Sequence, residues 1–204
     1  MEAPRPHSRV IVVAGLYRSG STFMFNAIRV LCKHAGLNVW SGGREAFMET
    51  TGDEVDVYVV KIHPWFEQLA DYSDDILTSY RPIKEAWESM RRFKGEEKTN
   101  WQVTQKWLEW FEKWRAHDNH RFTLFWDDFM DEDGPWNALK DVAHVLGFEH
   151  VNLEHCMKHL RSELAPPKED QKNPDTLVFS NHYTAREYEE DVLPRLRVPE
   201  RDTA

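Results

Sequence analysis

The sequence predicts an α/β fold with three layers, in which helices cover both faces of a central parallel sheet. Strand-like apolar runs alternate with helical patterns along the chain, as expected when crossover helices connect parallel strands. The first run, Val10 to Val13, is continuous and β-branched, which is typical of a strand buried on both faces. With 204 residues and 41% hydrophobic content, we expect a single domain over 1–204, with frayed tails at 1–8 and 198–204.

Five strands are predicted where β-branched or aromatic runs are bounded by turn signals. They cover residues 9–14, 37–41, 56–62, 75–80 and 121–127. Helices are predicted between them. The first helix spans residues 21–33 and is closed by Gly36, which suits a helix C-cap. Pro82 suits a first helical position and opens a helix that reaches Phe93.

Amphipathic spacing predicts three later helices, over residues 100–117, 135–146 and 152–163. The first of these carries tryptophans at three- and four-residue spacing, namely Trp101, Trp107, Trp110 and Trp114. Such a stripe is typical of a core-facing surface, and the wall of a substrate pocket is the alternative. The segment 165–175 is rich in Pro, Lys and Asp, which predicts an ordered loop or flap.

The composition restricts the partners and the location. A net charge of −9 argues against nucleic acid or an anionic membrane surface as a partner. No stretch approaches the ~20 apolar residues of a membrane span, and residues 1–6 contain no apolar signal region. We therefore expect a cytoplasmic protein. Cys32 and Cys156 lie far apart in helical patterns, which favours buried free thiols over a disulfide or a metal pair.

The turn after the first strand carries the strongest functional signal. Gly15 and Gly20 belong to a Gly-x-x-x-x-Gly-Ser-Thr pattern that opens a helix. Backbone amides in such a turn, with the positive end of the helix behind them, bind anions. In loops that bind ATP or GTP a lysine precedes the Ser/Thr, but here Ser21 stands at that place and the cation, Arg18, lies inside the loop. We therefore predict a phosphate-bearing ligand and disfavour ATP.

With these residues the sequence resembles the sulfotransferase family. The family's loop reads Lys/Arg-Ser-Gly-Ser/Thr-Ser/Thr and cradles the 5′-phosphosulfate of 3′-phosphoadenosine 5′-phosphosulfate (PAPS), and residues 18–22 fit it. Two further family motifs occur in the family's order. Arg81 and Ser89 have the eight-residue spacing of the pair that binds the 3′-phosphate, and Lys61-Ile-His63-Pro looks like the catalytic histidine segment. The resemblance covers residues 9–147.

The resemblance implies a set of donor-binding residues that extends from the loop to later elements: Arg18, Ser19, Gly20, Ser21, Thr22, Phe23, Arg81, Ser89 and Trp126. Trp126 takes the place of the family's adenine-contacting tyrosine, and Phe23 that of the aromatic residue after the loop. Both retain an aromatic face for stacking. Because ligands of parallel α/β sheets bind beyond the carboxyl ends of the strands, we expect the loop, Lys61, His63 and Arg81 to converge there.

The implied reaction is in-line transfer of a sulfuryl group from PAPS to a hydroxyl or amine of a small-molecule acceptor, leaving 3′,5′-adenosine bisphosphate (PAP). His63 would take the acceptor proton, while Lys61 and Arg18 would stabilise the developing charge. No metal is required. Because the reference pKa of histidine is about 6.5, activity is expected to fall as His63 is protonated near neutral pH. The identity of the acceptor and the oligomeric state stay open.

One departure and two alternatives accompany this hypothesis. The family's C-terminal Arg-Lys-Gly-x-x-Gly segment is absent, and Lys168 or Lys172 could substitute for it. A small-molecule kinase would use Asp127 and Asp128 after the last strand to hold magnesium, but the missing lysine at position 21 counts against it. A non-catalytic module that binds PAPS or PAP is disfavoured by the intact Lys-x-His motif.

Overall fold

A five-stranded parallel sheet forms the centre of the molecule. The computed structural model describes residues 8–49, 54–94, 100–167, 175–178 and 188–199. The strands are β1 (Arg9–Gly15), β2 (Val39–Gly43), β3 (Val57–Lys61), β4 (Asp75–Tyr80) and β5 (His120–Phe125). Their order in the sheet is β2-β3-β1-β4-β5, and all neighbours are parallel. The predicted three-layer α/β class is confirmed.

Eight α-helices follow or connect the strands in the described part of the chain. They are α1 (Ser21–His34), α2 (Arg44–Glu49), α3 (Glu67–Tyr72), α4 (Ile83–Lys94), α5 (Trp101–Ala116), α6 (Trp126–Met130), α7 (Gly134–Leu146) and α8 (Leu153–Glu163). A π-helical turn at Tyr188–Val192 and a 3₁₀ turn at Leu193–Arg195 come last. All five predicted helices are present, with ends within two residues of the prediction.

The sequence reasoning missed the three short helices α2, α3 and α6. Each has six residues or fewer, so none completes the two turns over which an amphipathic period can be recognised. As a consequence, residues 126 and 127 begin α6, whereas the prediction had placed them at the end of the last strand. The predicted flap at 165–175 lies largely outside the described residues.

The side chains of β1 alternate between two cores. Ile11 and Val13 pack with α1, α7 and α8 on one face of the sheet. Val10 and Val12 lie in a second cluster on the other face, together with Trp114 of α5. Both clusters are closed to solvent, which accounts for the continuous β-branched run of this strand.

The cysteines and the tryptophan stripe behave largely as predicted. Cys32 and Cys156 are buried free thiols, and burial raises their pKa values to about 12 and about 11. Trp107 and Trp114 of α5 are buried, as a core-facing stripe requires, whereas Trp101 at the start of the helix is 40% exposed. None of the helices in the described ranges combines the length and the apolar composition of a membrane span.

The strand register brings three chain segments to one edge. Val13 of β1 lies opposite Lys61 of β3, and Gly15 lies opposite Ser79 of β4. Because all strands are parallel, the segments that follow β1, β3 and β4 leave the sheet at the same side. Those segments are the Gly-rich loop, the Lys-x-His motif and the arginine after Tyr80.

Replacing Gly15 with alanine is expected to lower the free energy of unfolding by at least about 3 kcal/mol. Gly15 has φ of 128°, and an added Cβ would lie 2.5 Å from the amide nitrogen of Ser79 and closer still to its carbonyl oxygen. Gly36→Ala is the control, because Gly36 also has a positive φ, of 78°, but no atom lies within 4 Å of an added Cβ. That variant should lose only the ~1–2 kcal/mol of a left-handed backbone. Urea unfolding measures both, and equal losses would show that the close approach to β4 is not limiting.

Candidate active site

The loop between β1 and α1, residues 15–22, is the centre of the candidate site. Its backbone has a positive φ at three positions, 128° at Gly15, 64° at Arg18 and 91° at Gly20. For a residue with a side chain this conformation costs about 1–2 kcal/mol, and such strain is concentrated at functional sites. The loop leads directly into α1, whose first N–H groups have no carbonyl partner within the helix. A helix start of this kind can bind an anion.

Ser19 attaches the loop to β4. Its fully buried hydroxyl donates to the Leu16 carbonyl oxygen at 2.6 Å, and its Oγ lies 2.6 Å from the Ser79 Oγ. The Leu16 N–H donates to the Ser79 carbonyl oxygen at 3.0 Å. Because the Ser19 hydroxyl is used inside the protein, only its backbone amide is left to contact a ligand. The motif alone did not show whether the hydroxyl or the backbone amide of Ser19 would contact the ligand.

Two arginines and a serine from three elements meet at one corner of this loop. Arg18 Nε donates to Ser89 Oγ of α4 at 3.2 Å. Arg81, which follows β4, donates from Nη1 to the Arg18 carbonyl oxygen at 3.4 Å, and from Nε to Glu85 Oε2 at 3.2 Å. The structure therefore brings Arg18, which the resemblance assigns to the 5′-phosphosulfate, next to the pair that it assigns to the 3′-phosphate. Two cations at one corner favour an anionic ligand.

The aromatic residues predicted to contact the donor lie in different surroundings. Trp126 packs beside the loop, with the Arg81 guanidinium 4.2 Å from the centroid of its ring. Phe23 is only 5% exposed, and its ring packs in the core, 4.8 Å from that of Phe129. Phe125 was not predicted, but it is 41% exposed at the end of β5. In this conformation Phe23 contributes to packing, and Trp126 is the predicted aromatic residue that borders the site.

Lys61 reaches the loop from the end of β3. Its Nζ donates to Thr22 Oγ1 at 2.6 Å, and Thr22 is the second residue of α1. The contact places the ammonium group of Lys61 beside the first turn of α1. It also connects the Lys-x-His motif to the Gly-rich loop, as expected from the strand order.

His63 is held at its ring and at its backbone. Its Nδ1 lies 2.9 Å from the Gly15 carbonyl oxygen, and because a carbonyl oxygen can only accept, Nδ1 carries the proton. The lone pair is then on Nε2, the nitrogen that a general base would use. The His63 carbonyl oxygen accepts a hydrogen bond from Trp114 Nε1 at 3.4 Å. The Tyr17 ring stacks on the imidazole, with centroids 3.9 Å apart and planes inclined by 26°.

The surroundings of His63 favour the neutral form of its imidazole. Burial, followed by the positive charge of Lys61, lowers its pKa to about 3, and the hydrogen bond to the Gly15 carbonyl oxygen opposes this shift only in part. Both causes oppose the protonation near neutral pH that the reference value predicts. The reference value applies to an imidazole in water, whereas a packed imidazole beside an ammonium group resists a second positive charge.

Sequence reasoning missed Tyr17 and Ser79. A signal for Ser79 was its position two residues before Arg81, at the end of the strand beside β1; nothing local singled out Tyr17. Asp127 and Asp128 are exposed in the first turn of α6. Within the described ranges, no cluster of three or more His, Cys, Asp or Glu side chains is arranged to hold a metal ion. Lys168 and Lys172 lie outside those ranges.

Comparison with known proteins gives a match in structure but none in sequence. No family model matches the chain, and no curated protein matches it. The crystal structure of the mouse sulfotransferase SULT7A1 complexed with PAP matches with a TM-score of 0.56 at 15% sequence identity. The match covers 96% of this chain and 76% of the mouse chain. The chain therefore has a sulfotransferase-like fold, as the three motifs had predicted.

Proposed function

We propose that the protein is a sulfotransferase that moves a sulfuryl group from PAPS to a hydroxyl or amine of a small-molecule acceptor. The observation that carries this proposal is the convergence of Arg18, Lys61, His63, Arg81 and Ser89 at one edge of the sheet. These are the residues of three separate sequence motifs, and the fold that unites them is sulfotransferase-like.

The geometry supports separate sites for the 5′-phosphosulfate and the 3′-phosphate of the donor. The amides at the start of α1, together with Arg18 and Lys61, are suited to the 5′-phosphosulfate. Arg81 and Ser89 are suited to the 3′-phosphate. Ser89 Oγ accepts a hydrogen bond from Arg18. The Ser89 hydroxyl can therefore donate its own proton to a phosphate oxygen.

His63 is suited to act as the base. In the proposed step, the acceptor oxygen attacks sulfur while its proton passes to Nε2 of His63, and the bond between sulfur and the bridging oxygen breaks to release PAP. Lys61 and Arg18 stabilise the negative charge that grows on the departing phosphate and the sulfuryl oxygens. The anionic donor also offsets the charge of Lys61, one of the two causes of the low His63 pKa, so donor binding makes the base stronger.

The first prediction from the proposed function concerns recognition of the 3′-phosphate. PAP should bind at least about tenfold more tightly than adenosine 5′-monophosphate, because a charge-assisted hydrogen bond contributes about 1.5–3 kcal/mol. Arg81→Ala and Ser89→Ala should each remove much of this preference, while Arg115→Ala, at an exposed position of α5, should not. Calorimetry measures the affinities. Equal binding of the two nucleotides would refute the assignment, and preferred binding of ATP with magnesium would favour a kinase.

The second prediction concerns Arg18. Arg18→Ala should lower kcat by a larger factor than it lowers the affinity for PAP, because the cation is proposed to act mainly on charge that develops during transfer. Arg18→Lys is the control that keeps the charge and should recover a substantial part of the turnover. Single-turnover transfer from radiolabelled PAPS and calorimetry with PAP give the two factors. Similar losses in both would make Arg18 an ordinary phosphate ligand.

The third prediction concerns His63. His63→Ala should leave PAP affinity unchanged and slow transfer to an alcohol by at least about 100-fold, the lower range for a general base. An alcohol is needed because an acidic phenol ionises without help. In the wild type, kcat/KM for PAPS should show no loss from His63 protonation until the pH approaches about 3, because the neutral form is the active one. Near-normal transfer by the variant would place the base elsewhere, and PAP binding without any wild-type transfer would indicate a non-catalytic module.

A further inference from the structure

The imidazole of His63 needs more than one contact to point in a single direction. The χ2 torsion of histidine is broad, so rotamer preference alone does not orient the ring. The hydrogen bond from Nδ1 to the Gly15 carbonyl oxygen fixes one ring atom. The ring could still rotate about the line from Nδ1 to the Gly15 carbonyl oxygen, and this rotation would move Nε2. A flat group against the face of the ring is what blocks this rotation.

Tyr17 is that flat group. Its ring lies 3.9 Å from the imidazole centroid and is inclined to it by only 26°. The side chain comes from the loop itself, directly before the left-handed Arg18. The same face-to-face contact shields that side of the imidazole from water, and burial is the main cause of its low pKa. Orientation and desolvation of His63 therefore share one neighbour.

Tyr17 is in turn supported by the core beneath it. The Trp107 ring of α5 lies 4.8 Å from the Tyr17 ring at 52°. Trp107 is 7% exposed and belongs to a buried cluster with Leu16, Met90 and Phe111. Tyr17 thus lies between this buried cluster and the imidazole.

The Tyr17 hydroxyl does not compete with His63 as a base. Burial first, and the negative charge of Glu45 on α2 second, raise the pKa of the phenol, which keeps it un-ionised at neutral pH. The charges that shift these two pKa values are that of Lys61, acting on His63, and that of Glu45, acting on Tyr17; Glu45 is itself paired with Arg44 at 2.7 Å. The ring of Tyr17, and not its hydroxyl, is the part that faces the imidazole.

We propose that Tyr17 is a positioning residue that holds His63 with Nε2 directed at the acceptor and excludes water from one face of the imidazole. Its effect on turnover rests on the proposed sulfotransferase function, but its effect on the imidazole does not. The loop thereby supplies both the phosphate-facing backbone and the support for the base. Tyr17→Phe should preserve this role, and Tyr17→Ala should abolish it.

The test that does not depend on catalysis is NMR of the ligand-free protein with ¹⁵N-labelled histidine, in which His63→Gln assigns the resonance. The wild type and Tyr17→Phe should keep His63 neutral, with the proton on Nδ1, from pH 8 down to about pH 5. In Tyr17→Ala the imidazole should populate both tautomers and titrate closer to the reference value of about 6.5. Tyr72→Ala, which removes a ring from α3 that is 37% exposed and outside this cluster, should behave as the wild type.

An unchanged tautomer and titration in Tyr17→Ala would overturn the proposal, as would equal effects of Tyr17→Phe and Tyr17→Ala. If Tyr17→Ala does not fold, Tyr17→Leu replaces it, since leucine fills space without a flat face. In the transfer assay, Tyr17→Ala should lower kcat by at least about tenfold at unchanged PAP affinity. Absence of transfer in the wild type would refute the proposed function and leave the NMR result to decide the role of Tyr17.

Discussion

The close approach of β1 to β4 at Gly15 is the constraint on which the site depends. Gly15 pairs with Ser79 in the register of the sheet, and no side chain fits between the two strands at this point. The absence of a Cβ lets the Leu16 amide and the Ser19 hydroxyl both bond to Ser79. The loop therefore leaves the sheet in one fixed direction. The left-handed turn at Arg18 and the start of α1 follow from that direction.

A buried polar network that sequence reasoning did not identify also restrains the first turn of α1. Asn26 Nδ2 donates to the carbonyl oxygens of Thr22 and Thr176, at 2.8 and 2.9 Å. Arg29 is 2% exposed and donates to Asn26 Oδ1 at 2.6 Å and to Glu163 of α8 at 2.8 Å. A buried guanidinium is costly unless it is paired. The bonds to Asn26 and Glu163 pair the Arg29 guanidinium. Through Asn26 they also restrain Thr22, the residue that Lys61 contacts.

Positive charge is concentrated at one edge of an acidic protein. The net charge is −9, yet Arg18, Lys61 and Arg81 lie around one loop. Since the Debye length is about 10 Å at 0.1 M salt, distant acidic groups are largely screened, and the charges near the loop are these three cations and Glu85, which pairs with Arg81. Lys61 has two effects there. It is placed to stabilise anionic oxygens beside Thr22, and it helps to keep the neighbouring His63 in the neutral form that a base requires.

The sequence by itself determined the α/β class, the order of the five strands and long helices along the chain, and the three motifs at the ends of strands. These follow from local periodicity, from turn residues and from the rule that parallel strands end at one edge. Only the tertiary structure decided that Ser19 faces inward, that Phe23 packs in the core, and that Tyr17 lies on His63. It also decided the burial of His63 and the nearness of Lys61, which together lower the His63 pKa. Side-chain direction and desolvation depend on neighbours from α4, α5 and β4, which are distant in sequence, so no local pattern encodes them.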